Sequence, residues 1–149
     1  MNDPIKKTVT VPLSAAEAFE LFTTEIDSWW PKDLFSVKGD GSKISFPKRK
    51  GGDIVEHAED GEEHVWGSII AYEPGVYVAF TWFPGRDASQ ATVVEMRFAQ
   101  TEAGTRCDLT HGGFDILGPT ADAVSTSYLR GWDLVLGCFA TAIKNPVMA

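Results

Sequence analysis

Sulfur, imidazole and positive charge are all in short supply in this chain, and so are long hydrophobic runs. Its two cysteines, Cys107 and Cys138, have neither metal-type spacing nor the numbers of a disulfide framework, so both read as free, buried thiols. Of the three histidines, His57 and His64 flank the acidic turn Glu59-Asp60-Gly61-Glu62-Glu63. That spacing matches no established metal pattern, so an exposed hairpin is expected there, and neither a metal nor a cofactor is expected anywhere in the chain. Basic residues number 13 against 21 acidic ones, a formal charge of −8. Nucleic-acid phosphates and anionic membrane surfaces both need a basic face, so neither is expected as a partner. The local exception, Lys43 with Lys48-Arg49-Lys50 ahead of Gly51-Gly52, reads as a solvated hairpin. No apolar stretch approaches bilayer-spanning length and Met1 to Lys7 holds no apolar leader, so the expected location is cytoplasmic. The chain also lacks a Gly-x-Ser-x-Gly elbow, a phosphate-binding glycine loop and a dinucleotide fingerprint, which sets aside the hydrolases, kinases and dehydrogenases built on them.

What is present is apolar surface with clear periodicity. With 149 residues, 44% of them hydrophobic, the chain is long enough for one domain with a full core, taken as residues 1–149. Pro119 to Asn145 sets Val124, Tyr128, Trp132, Val135, Leu136, Phe139, Ala142 and Ile143 on one side at 100° per residue. Arg130, Asp133, Gly137 and Lys144 fall opposite. Gly118-Pro119 turns into this helix, Thr120 is positioned to cap it, and Lys144-Asn145-Pro146 ends it with a cation at the negative pole of the dipole. Burying its five largest apolar side chains is worth roughly 10 kcal/mol as an upper bound, at about 2 kcal/mol each. So large a stripe requires a broad, curved sheet as cover.

The strands for that sheet are legible as alternating runs. Ile5 to Pro12 comes first; Ser14-Ala15-Ala16-Glu17 then forms a capping box for a helix with Ala18, Phe19, Leu21 and Phe22 inward. A second short helix covers Ile26 to Trp30. Six further strands are expected at Ile44 to Phe46, Asp53 to His57, Glu63 to Tyr72, Val76 to Trp82, Thr92 to Gln100 and Arg106 to Phe114. Glycine- and proline-bearing turns separate most of them, and such short links favour antiparallel neighbours. The expected class is α+β, a curved antiparallel sheet around a long C-terminal helix.

Several local sequences stand in a suggestive order: Phe22-Thr23, Trp29-Trp30-Pro31, Gly51-Gly52, Gly67, Pro74, Phe80-Thr81-Trp82, Gly104-Thr105, Leu109-Thr110-His111, Gly113-Phe114 and Gly131-Trp132. Across residues 5–143 this resembles the family named after the activator of heat-shock protein 90 ATPase, within the START / birch-pollen-allergen-like superfamily. The resemblance implies a helix-grip fold with a cavity between sheet and helix. Superfamily members include lipid carriers, hormone receptors and polyketide cyclases, so fold alone does not assign function. The namesake proteins stimulate a chaperone ATPase through two domains, whereas this chain has one.

Five tryptophans, nine phenylalanines and three tyrosines suit an apolar or aromatic ligand of modest size, or else fill the core completely. Trp29, Trp30 and Phe35 are expected as a lid near the short helices. Trp30, Phe80, Trp82, Met96, His111, Tyr128 and Trp132 are the candidate ligand-binding residues. His111 shares a strand face with Cys107 and Leu109, where an imidazole either orients a ligand carbonyl or acts as a general base. Three functions follow: a single-domain protein binding a small hydrophobic ligand, a cyclase- or hydrolase-like enzyme using His111 with Tyr128 as its partner, and a chaperone-associated stress protein. No catalytic set surrounds His111 in sequence, so the first leads. Leu134 and Cys138 flank the helix stripe as extra core or a dimer contact, which leaves monomer and homodimer both open.

Overall fold

The computed structural model describes residues 3–32, 35–39 and 41–144, with side chains as far as Ala142. The first strand, β1 (Ile5–Val11), buries Ile5 and Val11 at its ends. Helix α1 (Ala15–Phe22) starts at the expected capping box: Ser14 Oγ accepts from the Glu17 N–H at 3.1 Å, and Glu17 Oε1 accepts from the Ser14 N–H at 3.0 Å. Its inward face is Ala18, Phe19 and Phe22. A 3-10 turn at Ile26–Ser28 follows. The remaining strands are β2 (Lys43–Ser45), β3 (Asp53–His57), β4 (Glu63–Glu73), β5 (Tyr77–Trp82), β6 (Thr92–Thr101) and β7 (Gly104–Gly112). The last helix, α2, runs from Ala121 to Lys144.

Among the described residues, seven strands form one antiparallel sheet in the order β1-β7-β6-β5-β4-β3-β2. The chain therefore meanders from β2 to β7 and closes against its own first strand, with Ile5 opposite His111. Register shifts at Ile54/Val55 and Ile69/Ala71 bend the sheet at β4. Gly67 lies inside that bend. A Cβ there would meet the Thr81 carbonyl oxygen at once, so only glycine lets β4 approach β5 this closely. The bend brings Trp66 and Trp82 onto the same concave face, ring centres 5.6 Å apart.

Helix α2 fills the concavity. Val124, Trp132, Val135, Leu136 and Phe139 are all buried, and Phe139 meets Phe22 and Trp29 at 5.6 and 5.3 Å between ring centres. The fold is the expected α+β helix grip. Four local expectations shift. β7 ends at Gly112, because Gly113 adopts φ +83° and turns the chain into a 3-10 segment, Phe114–Thr120; Phe114 is thus buried from a turn and not from a strand. The second short helix closes by Ser28, leaving Trp29 and Trp30 on the loop that follows. Thr120 donates to the Leu117 carbonyl at 3.0 Å, so α2 is entered through that segment and not through a threonine cap. Cys107 is buried, but Cys138 is only half-buried. The inward side of Ile143, the Lys144 cation and the Asn145-Pro146 stop lie outside the described residues and side chains.

Candidate functional site

Four tryptophans meet where the sheet bend faces α2. Trp30 lies 5.4 Å from Trp66, 5.8 Å from Trp82 and 6.2 Å from Trp132, and Trp82 lies 5.8 Å from Trp132, all between ring centres. Each comes from a different element: Trp30 follows the Ile26–Ser28 turn, Trp66 and Trp82 sit on adjacent strands, and Trp132 sits on α2. On one side of the group opens a cavity of about 270 Å³. Its walls are Trp30 with Phe35, Ser36 and Val37; Trp82, Pro84 and Gly85 from the end of β5; and Ser127, Tyr128, Gly131, Trp132 and Val135 from α2. Gly131 leaves space on the helix surface, and Phe35 comes to 3.6 Å from where its Cβ would stand.

Of the seven residues marked from the sequence, Trp30, Trp82, Tyr128 and Trp132 line this cavity. Phe80, Met96 and His111 do not. Phe80 packs between Phe46 and Trp82, at 5.5 Å from each, and Met96 is wholly buried on the sheet face. His111 lies one layer behind the wall, 4.7 Å from both Phe114 and Tyr128 between ring centres. The expected aromatic lid is divided: Trp29 and Trp30 are buried, while Phe35 is partly exposed at the cavity wall.

The hydrogen bonds around His111 run in one direction and fix its chemistry. Trp132 Nε1–H donates to Nδ1 at 2.9 Å, so the ring proton sits on Nε2. Nε2–H donates to Thr92 Oγ1 at 2.6 Å, and the Thr92 hydroxyl donates on to the Trp82 carbonyl at 3.2 Å. Burial without a charged partner pushes the imidazole pKa down from 6.5 to about 3. His111 is therefore a neutral strut with both nitrogens occupied, holding the edge of Trp132 so that its face forms the wall. General-base catalysis would require a lone pair that it has already committed. Cys107, opposite Val9 and Phe98, is likewise unreactive: burial pushes its thiol up to about 12.

A second buried polar group was not marked from the sequence. Glu56 is fully buried on β3, and its carboxylate accepts four hydrogen bonds: Val37 N–H and Trp66 Nε1–H on one oxygen at 2.8 and 3.1 Å, Lys38 N–H and Ser42 Oγ–H on the other at 2.9 and 2.7 Å. Burial alone would raise its pKa, but the four donors outweigh it and hold the group below 4.5. Glu56 thereby ties the Val37–Lys38 backbone, one wall of the cavity, to the Trp66 indole. A buried carboxylate on an alternating strand looks in sequence like any outward glutamate. The one available signal was its place on the same face as Ile54, which is fully buried.

The hairpin histidines behave as surface groups: His57 meets Ser45 and Glu63, and His64 meets Glu62. Among the described residues no cluster of three or more His, Cys, Asp or Glu is arranged to hold a metal ion, and no helix is long and apolar enough to cross a membrane. Burial raises the Tyr128 phenol pKa, against a smaller lowering by Arg86.

Comparison with known proteins places this geometry. The family model described as Activator of Hsp90 ATPase homolog 1-like protein matches residues 12–142. A search of curated proteins finds no significant match. Among solved structures, a protein from Mesorhizobium loti superposes with a TM-score of 0.73 at 15% identity, covering 97% of this chain and 99% of its own. The Aha1 dimer from Colwellia psychrerythraea gives 0.70 at 17% identity, covering 97% and 98%. An anthrahydroquino-γ-pyrone synthase, Txn09, solved as a complex, gives 0.64 at 27% identity, covering 95% and 97%.

Proposed function

We propose that this chain, which belongs to the Activator of Hsp90 ATPase homolog 1-like family, binds a small, flat, largely apolar molecule between α2 and the sheet. The observation that carries this reading is the cavity of about 270 Å³ walled by three indoles and a phenol. An enclosed apolar void of about 150 Å³ takes up benzene. Roughly twice that volume suits a two-ring aromatic, below the range of large drug-like ligands. Rings of this kind gain both apolar burial and offset or edge contacts with tryptophan faces.

Titration with a panel of flat lipophilic compounds, followed by tryptophan fluorescence, is the direct test, because Trp30, Trp82 and Trp132 border the space. Emission should shift or quench for at least one two-ring compound. Native mass spectrometry of protein purified from its own host should show a retained small molecule, and would count subunits in the same spectrum. No emission change across the panel together with a bare protein mass would overturn the reading.

The likeness to the synthase Txn09 favours one second reading, in which the bound molecule is also converted. His111 is spent on Trp132 and Thr92, so the group left to move a proton at the wall is Tyr128. Turnover of an aromatic polyketide precursor, lost in Tyr128→Phe, would establish it; unchanged precursor with the wild-type chain would leave binding alone. A chaperone contact rests on the family description only, and retention of an Hsp90-type chaperone at low salt is what would support it.

A further inference from the structure

We infer that the ligand carries a neutral hydrogen-bond acceptor, a carbonyl or an aromatic ring nitrogen at its edge, and that Trp82 Nε1–H donates to it. The inference rests on the reading of the cavity as a binding site and adds the polar chemistry that the site selects.

The five indole N–H groups of the chain are not spent alike. Trp29 donates to the Leu21 carbonyl at 2.7 Å, Trp30 to the Phe35 carbonyl at 2.7 Å, Trp66 to Glu56 at 3.1 Å and Trp132 to His111 at 2.9 Å. Trp82 has no such acceptor among the described residues, although only 3% of the residue is exposed. A buried indole N–H ordinarily finds a partner. Among the described residues no fully buried side-chain nitrogen or oxygen goes without one, so the Trp82 N–H is not sealed inside the core. The space that Trp82 borders is the cavity, and the N–H opens there.

The rest of the wall sets the ligand's charge. No described residue lining the cavity is charged. An ionic head group would give up its water there with nothing to offset the loss, and an anion would also enter a chain of formal charge −8. The hydroxyls of the wall do not choose between head groups. Ser36 is spent, donating to the Lys32 carbonyl at 2.6 Å and accepting from the Gly39 N–H at 2.8 Å. Ser127 is exposed and Tyr128 half-buried, and a hydroxyl both donates and accepts. An indole N–H only donates, so Trp82 is the group that imposes a preference. It points along the plane of its ring, and a carbonyl accepts close to its own plane, so the contact is made at the edge of a flat ligand.

Three probes separate acceptor from shape and charge: 2-acetylnaphthalene, its hydrocarbon twin 2-isopropenylnaphthalene, in which a methylene replaces the carbonyl oxygen, and 2-naphthoate. Calorimetry on the intact chain should find the ketone roughly two- to tenfold tighter than the hydrocarbon, the span of one net hydrogen bond, with naphthoate weaker than the ketone. In a nitrogen–proton correlation spectrum the Trp82 indole peak is assigned in the wild-type chain from its contacts with Phe80 and Trp132. It should exchange with solvent faster than the other four indoles in the free protein and move downfield with the ketone. In Trp82→Phe the preference for ketone over hydrocarbon should fall to unity; if that core variant does not fold, the wild-type spectrum decides. Equal affinity for the two neutral probes, tighter binding of naphthoate than of the ketone, or a Trp82 peak that the ketone leaves in place would overturn the inference while the cavity stands as a binding site. Absence of binding by all three probes would remove both.

Discussion

At the scale of the residue, His111 makes the sharpest demand on the molecule. Its folded pKa of about 3 lies far below the ordinary 6.5, so the unfolded chain binds a proton that the folded chain refuses. Its contribution is therefore complete above pH 6.5 and is lost as the pH falls from there toward 3, at about 1.4 kcal/mol per pH unit. Glu56 has the same sign but a lower window: its stabilisation is present above 4.5 and drains away below that. Between these two values His111 acts without it. Urea midpoints measured across that interval should fall with acid in the wild type and much less steeply in His111→Gln, whose amide can still accept from Trp132 and donate to Thr92. Parallel slopes would show that the imidazole does not carry the effect. Glu56→Gln tests the other buried group at neutral pH. One amide oxygen keeps two donors, but the amide nitrogen then faces the Lys38 N–H, donor against donor. A loss of about 2–4 kcal/mol is expected, with weaker ligand binding because the Val37 wall is released. An unchanged urea midpoint would refute this role.

At the scale of the element, α2 carries two glycines whose different surroundings separate stability from binding. Neither has positive φ, and a Cβ on Gly131 would meet the Phe35 ring at ordinary contact distance, while one on Gly137 meets nothing within 4 Å. Each alanine variant should gain up to about 1 kcal/mol from helix propensity. Only Gly131→Ala intrudes on the cavity, so it alone should also lower affinity for a two-ring probe; equal affinities in the two variants would place the ligand elsewhere. Elements of this kind were the legible part of the chain. Ser14 and Glu17 announced α1 because a capping box is a local arrangement, and the α2 stripe announced itself because one face is wholly apolar. The Phe114–Thr120 segment stayed hidden, since Gly113 and Gly118-Pro119 signal turns without saying that two can join into a short helix. For the site, Trp30, Trp82, Tyr128 and Trp132 were found from aromatic content together with the family resemblance, Tyr128 and Trp132 also from the helix stripe. Phe80 and Met96 share the same alternation, yet neither lines the cavity: Phe80 is covered by Phe46 and Trp82, and Met96 is wholly buried. Glu56 escaped because its role depends on partners 10 to 19 positions away in the chain.

At the scale of the whole molecule, the cavity and the core are parts of one packing unit. The sheet takes its strands from Ile5 through Gly112, its two outermost strands are β1 and β2, and α2 packs on the concave side. Trp132 belongs to both: one face walls the cavity, and its N–H begins the chain of hydrogen bonds that ends at the Trp82 carbonyl. Opening the site by local fraying would break that chain, so occupancy should be felt by the global transition. A ligand held at a hundred times its dissociation constant stabilises the folded state by about 2.7 kcal/mol. For a chain of this length each kcal/mol moves the melting midpoint by roughly 2–4 °C, giving an upward shift of roughly 5–11 °C. Calorimetric scans should show one cooperative peak that moves as a unit with ligand concentration. Two resolved peaks, only one of which responds, would mean that the site folds apart from the sheet. A compound that quenches the tryptophans without moving the midpoint would be binding outside the space between sheet and helix.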